Sequence, residues 1–328
     1  VSPEPARHGG YFYYFKFFAM KKLTTKIVTT LLFISLMVCP GFASAQTDMD
    51  AIMMNKHQFC QGFTYDYSSW DHYWEGTFKR DNANLGTVST QMLMYMPNFG
   101  ITNNLNVMAS VPYVWTKATA GTLHGMKGFE DLSLVVKWRA HKASFGKNNL
   151  SFFAIGGVST PLSNYVIDYL PLSIGLGSTN LIARGMIDYR RGNFTVTGSA
   201  AYVWRSNVKL DRNAYYDTYL HLTNEVQMPN AASYQLRTGY RGRYLIAEAL
   251  LTNWTTLGGF DIRKNDMPFP SNRMNATMVG ASAKYTLKTF TNVSFLAGGN
   301  FTIAGRNVGQ SKAFNVGAFY VLNFRNRK

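Results

Sequence analysis

Charge is scarce in this 328-residue chain. Asp, Glu, Lys and Arg together make up 15% of it, against roughly 25% in an ordinary soluble domain. Acidic residues are scarcer still, 17 against 33 Lys and Arg, which leaves a formal net charge of +16. The bases are scattered singly rather than run together, so the clustered patch of a nucleic-acid-binding surface is missing. Cysteine is nearly absent: Cys39 lies in the amino-terminal segment discussed below and Cys60 stands alone after it, which excludes an internal disulfide in the processed chain. No stretch after that segment reaches 18 unbroken apolar residues, so no transmembrane helix is expected there. Zinc-type His/Cys spacing, P-loops and dinucleotide fingerprints are missing as well, and no cofactor is expected. His57, His72, His124, His141 and His221 are dispersed, and none sits in a nucleophile motif. The chain is therefore not read as an enzyme.

What is present in quantity is aromatic (15%) and glycine (28 residues). From Met20 the sequence runs through a basic stretch (Lys21, Lys22, Lys26), an apolar stretch from Ile27 to Val38, the breakers Pro40 and Gly41, and the small-x-small site Ala43-Ser44-Ala45. These are the three parts of a secretory signal peptide. We expect a Sec-type signal over 20–45 cleaved between Ala45 and Gln46, with 1–19 an extension upstream of the true start. A short segment, 46–56, then precedes the main body, 57–328.

The main body repeats one pattern. Stretches of about ten residues alternate apolar with small or polar side chains and break at Gly, Asn, Asp or Pro, the period of a strand with two unlike faces. Phe314, Val316, Ala318, Tyr320, Leu322 and Phe324 share one face of the last stretch; Asn315, Gly317 and Asn323 share the other. Similar sets are Leu105 to Trp115, Phe194 to Trp204, Thr277 to Leu287 and Val293 to Ile303, each taken every second residue. About twelve stretches begin near residues 57, 87, 104, 130, 149, 180, 193, 232, 243, 274, 292 and 313. Links alternate short (102–104, 146–148, 191–193, 241–243, 289–292) and long (70–86, 117–128, 161–178, 206–230, 256–272, 304–311). An exported chain without a membrane helix spans a bilayer only as a closed barrel, because every backbone group in hydrocarbon must be paired. The fold class predicted is an all-β, transmembrane, antiparallel up-and-down β-barrel of about 12 strands (roughly 10–14). Its turns are short on the periplasmic side and longer outside, and both termini are periplasmic.

Gly100-Ile101-Thr102-Asn103-Asn104-Leu105, Val111-Pro112-Tyr113, Gly128-Phe129-Glu130-Asp131-Leu132-Ser133-Leu134, Lys137-Trp138-Arg139, Gly157-Val158-Ser159-Thr160-Pro161 and Gly175-Leu176-Gly177-Ser178 carry a resemblance. The region from Tyr95 to Ser178 resembles the outer-membrane "MetA-pathway of phenol degradation" transporter-like family. The resemblance implies a barrel related to channels for hydrophobic or aromatic compounds, with no catalytic residues to transfer.

If the apolar face meets lipid, the alternate positions Arg184, Asp188, Arg190, Arg237, Arg241, Glu248 and Lys284 face the lumen. An excess of bases there favours anions, unless opposite charges pair and fill the bore. Tyr165, Tyr169, Leu170 and Leu172 make the link 161–178 unusually apolar and are candidates for a loop at the barrel mouth; the link 206–230 reads as a polar, aromatic outer loop. Gly156-Gly157 and Gly298-Gly299 are candidate strand bends. The expected function is an outer-membrane channel of a Gram-negative bacterium for small, hydrophobic or aromatic molecules. The expected partners are outer-membrane lipid, the small-molecule cargo and the barrel-assembly machinery. A closed structural or adhesive barrel with partner-binding loops is the alternative, and a barrel enzyme comes after it.

Overall fold

A computed structural model describes residues 47–263 and 266–324; the expected signal peptide, with Ala45 and Gln46, lies outside the described residues. Twelve strands form one closed antiparallel sheet. They are β1 (Gln58–Trp70), β2 (Val88–Tyr95, resumed at Asn98–Gly100), β3 (Leu105–Ala118), β4 (Asp131–Phe145), β5 (Asn148–Pro161), β6 (Asn180–Arg191), β7 (Phe194–Arg205), β8 (Ala231–Arg241), β9 (Leu245–Thr256), β10 (Asn275–Thr286), β11 (Val293–Arg306) and β12 (Lys312–Asn323). Each pairs with its neighbours in sequence, and β1 pairs with β12 from Gln58↔Asn323 to Ser69↔Lys312, which closes the ring and removes both sheet edges.

The alternation has the expected sense. Phe314 and Val316 are 49% and 47% exposed, while Phe319 and Val321 of the same strand are buried inside. Leu181, Ile187, Leu236, Leu251, Phe295 and Ile303 are exposed in the same way around the ring. A continuous outer band of large apolar side chains far exceeds the patch a soluble monomer shows and matches a lipid-facing wall. The aromatic pairs Tyr113–Trp115 and Tyr202–Trp204 (ring centroids 4.7 and 4.6 Å) sit toward the long-loop end. That is where rings with a polar atom favour the headgroup level. Gly146 and Gly192 take positive φ (62° and 60°) in the tight turns β4–β5 and β6–β7, a conformation that costs glycine little.

The strands stay in register through Gly156, Gly157, Gly298 and Gly299. The irregularities fall elsewhere, between Arg139 and His141 on β4 and between Thr277 and Met278 on β10. No bulge therefore falls at either glycine pair. Gly298 is small for another reason: a Cβ there would stand 2.7 Å from Asn315 Oδ1, so close packing is what the residue serves.

The long-loop end is roofed. Ile167, Val208, Leu210, Tyr215, Val226, Met228 and Phe269 form a buried cluster, with Tyr165, Leu176 and Phe260 packed against it. The link 206–230 is thus less polar than its sequence suggests, since five of its side chains belong to this small core. At the rim, Asn307 adopts φ 52°. It accepts from the backbone N–H of Gly76 (2.7 Å) and Ile262 (3.1 Å), and its amide donates to Asp261 and Arg273. One residue thereby ties three outer segments together.

Candidate functional site: the barrel interior

The site is the bore, and strand phase builds it. On β6, Arg184, Met186 and Asp188 face inward and are buried. On β8 and β9 the inward set includes Arg237, Arg241 and Glu248. Arg241 reaches Asp188 through Nη1 (3.1 Å) and Glu248 through Nη2 (2.9 Å). Arg237 donates to the other Glu248 oxygen (2.8 Å), and the Thr197 hydroxyl donates to Asp188 (2.6 Å). Charges on adjacent strands and two strands apart are thus neutralised in one chain of charge-assisted bonds, the arrangement that makes buried charge tolerable. Arg190 stands apart from this chain. Its guanidinium donates to the backbone carbonyls of Gly192 (2.8 Å) and Arg241 (3.1 Å) beside the periplasmic turns. Lys284 on β10 is buried on the inner face.

Sequence reasoning passed over the residues that fill the other half of the bore. Lys137 on β4 is 0% exposed. Its ammonium donates to the carbonyl oxygens of Thr47 (3.0 Å), Asp50 and Ile52 (2.9 Å) and to Asp50 Oδ1 (3.1 Å). The segment after residue 46 therefore lies inside the barrel. Asp48 approaches Arg184 (3.6 Å), Gln235 approaches the Met49 sulfur (3.7 Å), and Ala51 and Met53 pack on Phe153, Ile155 and Met186. Met54 joins Cys60, Phe319 and Val321 at the root of the segment. Lys137 was findable: Leu132, Leu134, Val136 and Trp138 define the outer face of β4, and Lys137 falls on the opposite one. Asp48 and Asp50 carried no such signal, because their segment is not a strand.

Beside the segment remains a cavity of about 480 Å³. Met94, Met96, Met278, Ile246, Leu250 and Leu296 supply its apolar lining, with Asn300, Gln235, Arg237, Glu248 and Lys284 among its polar groups. The inner wall is less polar than alternation alone implied. Methionine is unbranched and polarisable, so such a lining adapts to apolar guests of different shape.

At the mouth, the link 161–178 folds over the bore. Leu172 is fully buried and its carbonyl accepts from the Thr116 hydroxyl (2.6 Å). The Tyr165 hydroxyl donates to Asp131 (3.1 Å) and accepts from the Gly177 N–H (3.0 Å). Tyr169 accepts the N–H groups of Leu172 and Ser173 on its carbonyl, and Leu170 continues the same turn. Under this strap Glu130 is pushed up to about 7, by burial first and by the neighbouring Asp131 second. A carboxyl that holds its proton more tightly when folded adds stability below its unfolded value, and that stability is lost as pH rises from about 4.5 to about 7. Unfolding midpoints in denaturant should therefore fall across that window in the native protein. Glu130→Gln should flatten the dependence; an unchanged slope in the variant would assign it to other groups.

Residues 82–317 match the family described as "Putative MetA-pathway of phenol degradation". The chain belongs to this family. No curated protein matches the sequence. Among solved structures, the barrel is similar to an outer membrane channel from Pseudomonas putida F1. That likeness has a TM-score of 0.66 at 13% identity and covers 85% of this chain and 100% of that one. Weaker likenesses are the translocator domain of the autotransporter NalP from Neisseria meningitidis (TM-score 0.43, 11% identity, 80% and 87% covered) and the TodX monoaromatic hydrocarbon channel (0.40, 10%, 83% and 91%). At these identities the likeness concerns the fold, that of outer-membrane barrels.

Proposed function

We propose that this barrel is an outer-membrane channel for the passive passage of small hydrophobic molecules, aromatic ones included. The methionine- and leucine-lined cavity inside a closed, lipid-facing wall carries the reading. A bore meant only for ions or water has no use for six apolar residues at one place, whereas an apolar pocket with a few polar groups is the usual make-up of a small-molecule site. The family description, which concerns phenol degradation, agrees with this class of cargo. The reading is of a channel rather than an enzyme. It includes export on a Sec-type signal cleaved between Ala45 and Gln46, insertion by the barrel-assembly machinery, and an outer face solvated by outer-membrane lipid.

The test fills the cavity without touching the ion pairs. Asn300 on β11 lines it next to Gly280. Asn300→Trp should cut uptake of labelled benzyl alcohol by about tenfold or more in cells whose outer membrane carries the protein, while the barrel still shows its folded migration in gels. Native-level uptake by the variant would reject the cavity as part of the path. The roof over the mouth and the segment in the bore favour the second reading, a closed structural or adhesive barrel. That reading requires no uptake by the native protein either.

A further inference from the structure

The wall of the bore has more cations than it can neutralise. Arg237 and Arg241 share Glu248 and Asp188, yet Lys137 and Arg184 receive their carboxylates from the amino-terminal segment, from Asp50 and Asp48. The two cations are placed as a pair. Lys137 on β4 and Arg184 on β6 are both directly opposite Ile155 on the strand between them, so their backbones stand two strand spacings apart, roughly 10 Å. The two acids are two residues apart on the segment, and each turns to one cation. The Lys137 ammonium finds its four acceptors within residues 47–52. A lysine with no exposed surface, supplied by a stretch that is itself no part of the sheet, marks a place for an anion that the chain fills with the Asp50 carboxylate and three of its own main-chain carbonyls.

We infer that Lys137 and Arg184 form a carboxylate subsite of the bore, which Asp50 and Asp48 occupy in place of cargo. The cargo class that fits is an amphipathic organic acid: its carboxylate takes the position of Asp50 or Asp48, and its apolar body takes the cavity lined by Met94, Met96, Met278 and Leu250 that adjoins the same segment. The segment and the acid compete for the two cations, so cargo binding and displacement of the segment are one exchange. A carboxylate that takes the place of one aspartate keeps that aspartate's cation paired, which makes the exchange feasible where removing an anion alone is not. This inference rests on the channel reading and narrows it.

The experiment compares sodium benzoate with benzyl alcohol, matched in size and differing in charge, on the full-length protein. Asp48→Asn/Asp50→Asn should raise benzoate affinity, measured by titration calorimetry in detergent, by tenfold or more over the native protein and leave benzyl alcohol unaffected. Adding Lys137→Met and Arg184→Met should abolish the gain. Should Lys137→Met prevent folding in that background, Arg184→Met alone makes the comparison, since its partner Asp48 is partly exposed. Benzoate affinity that ignores all of these substitutions overturns the subsite; if benzyl alcohol is still taken up by cells, the channel reading stands without it. If neither compound is taken up with any variant, the channel reading fails and the subsite fails with it.

Discussion

Replacing Lys137 by methionine should raise single-channel conductance in planar bilayers several-fold while the wall stays intact. Lys137→Met nearly conserves volume but removes the donor of four hydrogen bonds and leaves the Asp50 carboxylate without its cation. Breaking a buried ion pair from one side costs about 3–5 kcal/mol. The segment has a cheaper way out than unfolding the barrel. It runs into β1 at the periplasmic end, and its other holds among the described residues include the long Asp48–Arg184 contact, the Gln235 contact with the Met49 sulfur and the apolar packing of Ala51, Met53 and Met54. A loss of several kcal/mol at Lys137 is of the same order as what those contacts supply, and release lets water reach Asp50, so the expected outcome is that the segment leaves the bore. Protease protection of residues 47–54 should fall in the same variant. Conductance and protection both at native levels would mean that packing rather than Lys137 holds the segment.

Arg241→Met tests the opposite half of the bore, where the cost falls on the wall itself. Arg241 bridges Asp188 and Glu248 through its two terminal nitrogens. Without it, Asp188 keeps the Thr197 hydroxyl and Glu248 keeps Arg237, so the burden is one uncompensated carboxylate. The expected loss of unfolding free energy is about 3–5 kcal/mol, read by equilibrium denaturation in micelles. Arg241→Lys should recover less than half of it, because a single ammonium does not match the planar fork that serves two acids at once. Combining Arg241→Met with Asp188→Asn should be milder than the sum of the two, as expected for side chains in one network. Strict additivity would show that water, not Arg241, satisfies Asp188.

The barrel could be read from the sequence because two solvents act on alternate residues. Where lipid is on one side and a polar bore on the other, as on β12 or β6, the period of two is plain, and the strand starts follow from it within about two residues. The same rule put Arg184, Asp188, Arg237, Arg241, Glu248 and Lys284 on the inner face without saying which pairs would form, since partners two strands apart in the ring are far apart in the chain. It was silent on β2, where Met92-Leu93-Met94-Tyr95 is apolar on both faces, and so the methionine lining went unnoticed. It also had nothing to say about residues 47–54, which have no period and take their place from Lys137, ninety positions away. The glycine pairs carry no bulge, and a strand also uses glycine for close approach, as at Gly298 against Asn315.

The root of the inner segment lies against the joint between the first and last strands. Met54 and Cys60 pack on Phe319 and Val321, and Cys60 is the register partner of Val321. Residues of the strand pair that closes the ring therefore also hold the root of the inner segment. The seam and the root of the segment thus share one apolar cluster, so a side chain changed there is felt by both.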